Sequence, residues 1–186
     1  MFAGVSFALS PGDALILRGP NGAGKSSMLR LLAGFLEPAE GGLSWDGRPV
    51  WDDPAAHRAR LHLIGHSNAI KRALTVRENL SFAAAVAGAP GTGIDRALKN
   101  FDLRPLAEVP AMYLSAGQGR RLALARLLAA ARPLWLLDEP EAGLDAASRE
   151  RLMRAIADHR AGGGIAVIAT HGDIEMAAPQ VLELVA

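Results

Sequence analysis

Four residues, Gly19, Gly24, Lys25 and Ser26, stand at the spacing G-x-x-x-x-G-K-[ST] within the run Gly19-Pro20-Asn21-Gly22-Ala23-Gly24-Lys25-Ser26-Ser27. Each fixed residue has a chemical use. Glycines let the backbone turn tightly and bring successive N–H groups against phosphate oxygens. Lys25 supplies an ammonium for β- and γ-phosphates, and Ser26 a hydroxyl for Mg²⁺. The flanks agree: Ala14 to Leu17 is a short apolar strand, and Lys25 to Phe35 repeats apolar residues at helical spacing (Met28, Leu29, Leu32, Phe35). A strand, a Gly-rich loop and a helix N-terminus in that order bind anionic phosphate.

Further candidates lie downstream. Leu134-Trp135-Leu136-Leu137-Asp138-Glu139-Pro140 is a buried strand ending in two carboxylates. Beside a phosphate loop, Asp138 is suited to hydrated Mg²⁺, and Glu139 to orienting or deprotonating an attacking water. Ser115-Ala116-Gly117-Gln118 opens a helix with Ser115 as N-cap, a second phosphate-type site. On these residues alone an ordinary capped helix explains it as well. His171 follows an apolar strand and is placed to contact a γ-phosphate, although a lone His at a strand end is usually an ordinary loop residue.

The elements that must position these residues alternate. Phe2 to Leu9 reads as a strand, and Leu43 to Trp45 with Pro49 to Trp51 as a hairpin turned at Asp46-Gly47. Asp53 caps a short helix through Arg60, and Leu61 to Gly65 is a buried strand. Between Ser67 and Tyr113 no strand pattern occurs; Thr75 with Glu78 marks a capped helix to about Val86, and Ile94 to Phe101 a second one. The core resumes with helices at Ala116 to Ala131 and Ala146 to Arg160 and strands at Leu134 to Leu137, Ile165 to Ala169 and Val181 to Val185. Strands alternating with helices predict a mostly parallel α/β sheet covered on both faces, with a small antiparallel part. The expected division is one nucleotide-binding domain over 1–186, with an α/β core at 1–65 and 117–186 and a helical subdomain at 66–116.

Composition narrows the function. A net charge of +1 gives no pull toward nucleic acid or anionic membrane, and the absence of Cys excludes disulfides and thiolate metal sites. Met1 to Leu9 lacks the basic start of a secretory signal, and no stretch approaches the roughly 20 apolar residues that span a bilayer. Membrane association is expected only through a partner.

Taken in order, these stations resemble the ATP-binding cassette family: phosphate loop (Gly19 to Ser26), signature (Ser115 to Gln118), second Walker motif (Asp138-Glu139), D-loop (Gly143-Leu144-Asp145) and switch histidine (His171). The resemblance covers essentially the whole chain. It implies ATP and Mg²⁺, hydrolysis in a head-to-tail homodimer, and a signature that acts in trans on the partner's phosphate loop. A narrower resemblance lies in Gly65-His66, then Ile70-Lys71 and Leu74-Thr75-Val76-Arg77-Glu78-Asn79-Leu80, with Leu114-Ser115-Ala116-Gly117-Gln118 and Arg120 to Leu127. These look like the ATP-binding subunit of the haem-exporter system of cytochrome c biogenesis. That resemblance implies a haem-exporter permease as membrane partner and a cytoplasmic location, peripheral on the inner face of the cell membrane.

In the wider family a Gln that touches Mg²⁺ and water stands near His66; an imidazole suits hard Mg²⁺ less than an amide oxygen, so a water-mediated role is expected for it. Gly119 stands where the family pattern leads one to expect Gln, and Glu141-Ala142-Gly143-Leu144 is closer to the general cassette pattern. Met1 begins after the place where the family has a first strand and an adenine-stacking aromatic, for which Phe2 is a poor substitute. The alternatives are the ATPase of another importer or exporter, a soluble cassette acting on DNA or ribosomes, and a module that binds nucleotide without hydrolysis. Near-neutral charge and a single cassette weigh against the second; intact Lys25, Asp138, Glu139 and His171 weigh against the third.

Overall fold

The computed structural model describes residues 3–172 and 174–184. Phe2 and Val185, which the sequence reading used for a strand start and a strand end, lie outside that set. The described residues form two compact units. The first comprises the described residues of Met1–Gly65, Arg132–Pro140 and His159–Ala186; the second comprises His66–Ala131 and Glu141–Asp158. The expected helical stretch 66–116 falls wholly in the second unit, which also takes in the helix after it and residues 141–158.

The first unit is built on five parallel strands: β1 (Ala14–Arg18), β4 (Leu61–Ile64), β5 (Leu134–Asp138), β6 (Ile165–Ala169) and β7 (Gln180–Glu183). They lie in the order β4-β5-β6-β1-β7. Register is set by Leu15 against Val167, Leu136 against Val167, and Ile16 against Val181. Every residue of β5 and β6 is buried, as expected of near-continuous apolar strands in a parallel sheet. One face joins Leu15, Leu17, Leu136 and Val167 to Met28, Leu29 and Leu32 of α1 (Lys25–Leu32). β2 (Ser44–Trp45) and β3 (Arg48–Pro49) form the antiparallel hairpin. Asp46 and Gly47 both take positive φ, 48° and 75°, as a two-residue I′ turn requires.

Three local expectations are corrected. Residues 3–9 form no strand: Gly4 turns at φ 66°, and although Val5, Phe7 and Leu9 alternate onto the core, they enter no ladder. Apolar alternation reports burial of every second side chain, and a strand also needs a paired neighbour. α1 stops at Leu32, and Phe35 is 58% exposed, with the Arg58 guanidinium 5.7 Å from its ring centroid. Val50–Asp52 turns into a 3-10 segment, which shortens the second hairpin strand. α2 (Pro54–Arg58) follows, capped by Asp53 as expected.

The second unit packs α3 (Val76–Val86) and α4 (Ile94–Asn100) against α5 (Ala116–Ala129). α5 is apolar over most of its circumference from Leu122 onward and is buried accordingly. Thr75 and Ser115 each close a capping box, with Glu78 and Gln118. Glu78 is held below the usual carboxylate range by its hydrogen bonds to Thr75. Residues 141–158 carry most of α6 (Ala146–Ala161).

Asn79 is the buried polar residue that organises the loop ahead of α3. Its Oδ1 accepts from Lys71 N–H (2.8 Å), and its Nδ2 donates to the carbonyls of Lys71 (3.0 Å), Leu74 (3.1 Å) and Thr75 (2.9 Å). Truncation strands several of these groups at once, and each buried orphan costs about 1–3 kcal/mol. Asn79→Ala is therefore expected to lower stability by about 3 kcal/mol, a fall in melting temperature of about 10 °C in thermal unfolding.

Candidate functional site

β1 delivers the chain into the phosphate loop. Gly19 sits at φ 141°, and a Cβ there would overlap the Leu184 carbonyl oxygen and lie 3.2 Å from the Ala23 Cβ. Leu184 N–H in turn donates to Arg18 O at 2.8 Å, so the segment after β7 closes over the start of the loop. Gly22 and Gly24 also take positive φ, 88° and 96°. Gly24 is the N-cap of α1, no side chain caps that end, and its first turn holds no acid. The first-turn N–H groups and the positive end of the helix dipole are thus left for an anionic ligand.

Lys25 is buried at 8% exposure, and its Nζ donates to the carbonyls of Gly19 (2.7 Å) and Pro20 (3.3 Å). The ammonium is held over the loop it belongs to. Ser26 Oγ donates to Asp138 Oδ2 at 2.7 Å, joining the start of α1 to the end of β5. These two hard oxygen donors fit one end of a Mg²⁺ shell whose other ligands are phosphate oxygens and water. Among the described residues no cluster of three or more His, Cys, Asp or Glu could hold a metal by itself, so any metal here has a mixed shell.

One residue on, Glu139 takes φ 45°, while its N–H donates to Ala169 O at 2.9 Å. Left-handed backbone is costly for Glu, and doubly so before a proline such as Pro140. Strain of this kind persists where the surrounding structure over-determines it, and here it turns the carboxylate out of the strand. Glu139 Oε2 lies 2.9 Å from His171 Nδ1, whose N–H donates to it. His171 is 75% exposed on its side chain, and its turn is held by buried Thr170, whose Oγ1 accepts from Gly172 N–H at 3.0 Å. The phosphate loop, Asp138, Glu139 and His171 are therefore brought together within the first unit.

The other predicted residues, His66 and Ser115 to Gln118, belong to the second unit. His66 is exposed, five residues ahead of the Lys71 that Asn79 clamps. Ser115 Oγ accepts from Gln118 N–H (3.2 Å) and Gln118 Oε1 from Ser115 N–H (2.8 Å). In the D-loop, Asp145 Oδ1 accepts from Ser148 N–H at 2.7 Å and caps α6. Its hydrogen bonds to Ser148 hold the carboxyl below the usual range. Sequence reasoning missed Thr170, Leu184 and the Glu139 backbone. The Glu-Pro dipeptide was the one available signal, since proline restricts the residue before it.

A phosphate loop, a strand-end Asp-Glu pair and a facing histidine on a parallel sheet define a nucleoside-triphosphate-binding hydrolase. The family model for the ABC transporter matches residues 2–142, and the chain belongs to that family. It is an ATPase of the type found among cytochrome c biogenesis ATP-binding export proteins. Two such proteins are similar over nearly its whole length. That of Rhodospirillum rubrum is 57% identical over 99% of this chain and 79% of its own. That of Paramagnetospirillum magneticum is 53% identical over 99% of this chain and 87% of its own. Among solved structures, a dimeric ATP-binding cassette in a post-hydrolysis state, bound to ADP and phosphate, is similar with TM-score 0.79 and 26% identity over 89% of this chain and 78% of its own.

Gly19→Ala tests the loop geometry. The added methyl meets backbone rather than a flexible side chain, at a φ that L-residues avoid. The expected result is loss of ATP binding by about 100-fold or more in equilibrium titration, about 3 kcal/mol, with a folded circular dichroism spectrum retained.

Proposed function

We propose that this chain is the ATPase subunit of a haem-export system in cytochrome c biogenesis, working on the inner face of the cell membrane with a permease partner. The observation that carries the chemistry is the convergence of Lys25, Ser26, Asp138, Glu139 and His171 at one edge of the sheet. Gly19 to Ser27 cradle the triphosphate, and Lys25 exchanges its loop carbonyls for β- and γ-phosphate oxygens. Ser26 and Asp138 would hold Mg²⁺, which would neutralise charge on the β- and γ-phosphates. Glu139 orients a water and takes its proton; His171 aligns the Glu139 carboxylate and contacts the γ-phosphate. His66 acts through water beside the same phosphate.

The signature, Ser115 to Gln118, faces the phosphate loop of a second copy, so that two ATP molecules are sandwiched in a head-to-tail dimer. An exposed serine at the N-terminus of α5 supports that reading, since its hydroxyl and the helix dipole both suit an anion. The partner role of the permease is supported by the names of the similar export proteins. Among the described residues no helix is long and apolar enough to cross a membrane.

Docking is assigned to the surface of α3. Phe82 is 47% exposed and Val86 73%, and Lys71 Nζ lies 4.4 Å from the Phe82 ring centroid. Ile70 and Leu74, which precede the Thr75 cap, are half-buried and less available for such a contact. A cation over an aromatic ring beside an exposed valine suits a short amphipathic helix.

The ATPase reading is tested with Glu139→Gln, which keeps shape but takes no proton. It is expected to cut turnover by about 100-fold or more with ATP affinity nearly unchanged, and to accumulate as an ATP-bound dimer in size-exclusion chromatography. Adding Ser115→Arg to the same chain should abolish that dimer. Normal turnover in Glu139→Gln rules the base assignment out, and Lys25→Ala serves as the binding-deficient reference. The pathway is tested separately with Val86→Asp and Phe82→Asp. Both should retain basal ATPase while losing co-purification with the permease and c-type cytochrome formation in cells. Normal cytochrome formation after deletion of the gene would leave only the general transporter ATPase.

A further inference from the structure

Gly119 lies in the interior of α5, where glycine is unfavourable relative to alanine. It is buried, and a Cβ built there would lie 3.5 Å from Asn68 Nδ2 and 3.5 Å from Ile70 Cδ1. The loop that follows His66 therefore rests directly on this glycine. Methyl-sized matter fits against it at ordinary contact distance, but the longer side chain that the family pattern leads one to expect would occupy the space of Asn68 and Ile70.

Four consecutive loop residues are anchored around this notch. Arg120 Nη1 donates to Asn68 Oδ1 (3.3 Å), and Arg126 Nη1 donates to Ala69 O (3.2 Å). Ile70 packs over Gly119, and Lys71 is clamped through both its N–H and its carbonyl by Asn79. Ala69 sits at φ 48°, a left-handed conformation that persists in alanine only when neighbours hold it. Arg126 is itself fixed, its Nε donating to Ala123 O at 3.1 Å within α5. Half-buried and always charged, its guanidinium is held by these two carbonyls. The loop has thus been bent to meet α5 at the cost of backbone strain, and the glycine makes room for the bend.

We propose that Gly119 and Arg126 are positioning residues of the ATPase: they seat residues 68–71 on α5, so that the loop carrying His66 and the helix carrying Ser115 move as one body. This rests on the roles given above to His66 and Ser115. A loop free of α5 would let His66 report on the γ-phosphate without shifting the signature. A seated loop transmits any displacement of His66 to the N-terminus of α5 through contacts that span only residues 68–71 and α5.

The seat is tested on the full-length chain by hydrogen exchange of the peptide spanning residues 65–73, read beside steady-state ATPase. In Gly119→Gln, loop exchange should accelerate about tenfold or more and kcat fall about tenfold, with KM for ATP changed less than about twofold. Gly119→Ala should keep both the exchange rate and kcat while raising the melting temperature. Arg126→Met, which keeps the apolar stem and removes the donors, should repeat the Gly119→Gln pattern, and Arg126→Lys should restore part of the loop protection. If Gly119→Gln fails to fold, Arg126→Met decides. Unchanged exchange in a folded Gly119→Gln or Arg126→Met chain overturns the seat, whatever happens to kcat. Faster exchange with unchanged kcat overturns the positioning role. Failure of the signature role on which this rests is distinct, since it appears as an ATP-bound Glu139→Gln dimer that persists when Ser115→Arg is added, with the exchange results untouched.

Discussion

The hydrogen bond from Ser26 Oγ to Asp138 Oδ2 ties together two segments 112 residues apart in sequence. It exists because β1 and β5 flank β6 in the strand order, so that the loop after β1, the end of β5 and the turn after β6 all open at the same carboxyl edge. In a parallel sheet the crevice beyond the strand ends is where ligands bind. The serine begins the helix that follows β1, the acid ends β5, and His171 follows β6. Displacing any one of these strands by a single residue in register would turn its functional side chain away from the other two.

That edge is prepared for an anion by an inequality among helix ends. Asp53, Thr75, Ser115 and Asp145 each accept from a first-turn N–H of their helices. α1 and α4 start at a glycine with no side-chain cap, and of the two only α1 belongs to the unit that holds this edge. A capped helix has already satisfied an orphan donor, whereas an uncapped one in a conformation set by three left-handed glycines presents its donors to whatever arrives. Lys25 strengthens the same bias, since its ammonium is held on the loop carbonyls of Gly19 and Pro20.

Much of this was legible in the sequence because the signals are local. The phosphate loop, the Thr75 capping box, the Ser115 cap, the Asp-Gly turn and the apolar strands from Ala14 onward depend on residues a few positions apart, and each formed where expected. Misjudged features depended on distant partners. Val5, Phe7 and Leu9 alternate correctly, but a strand requires a neighbour, which no local pattern reveals. Phe35 continues the helical spacing of Met28 and Leu32, yet the chain leaves the helix before it, with Gly34 turning at φ 71°. For Phe82 and Val86 the residue type leaves core and surface both open, and the packing of α3 against α5 determines which face of α3 is left to solvent. Ser26 and Asp138 were each legible as oxygen donors, while their 2.7 Å separation is a property of the sheet.

The backbone of Glu139 carries this distinction into the chemistry. A carboxylate proposed as general base at the end of a buried strand faces two opposed demands: the chain must leave the sheet, and the carboxylate must stay within reach of the edge. An extended Glu139 would continue the alternation of β5 and direct its side chain by the pleat. The left-handed turn at φ 45° breaks that alternation while the N–H still bonds to Ala169 O, so the residue keeps its last ladder hydrogen bond and aims its side chain independently. His171 then completes the orientation from β6, at 2.9 Å. The strained residue, its proline successor and its histidine partner together fix one carboxylate direction. For a group proposed to align a single water, that restriction is worth more than the local stability it costs.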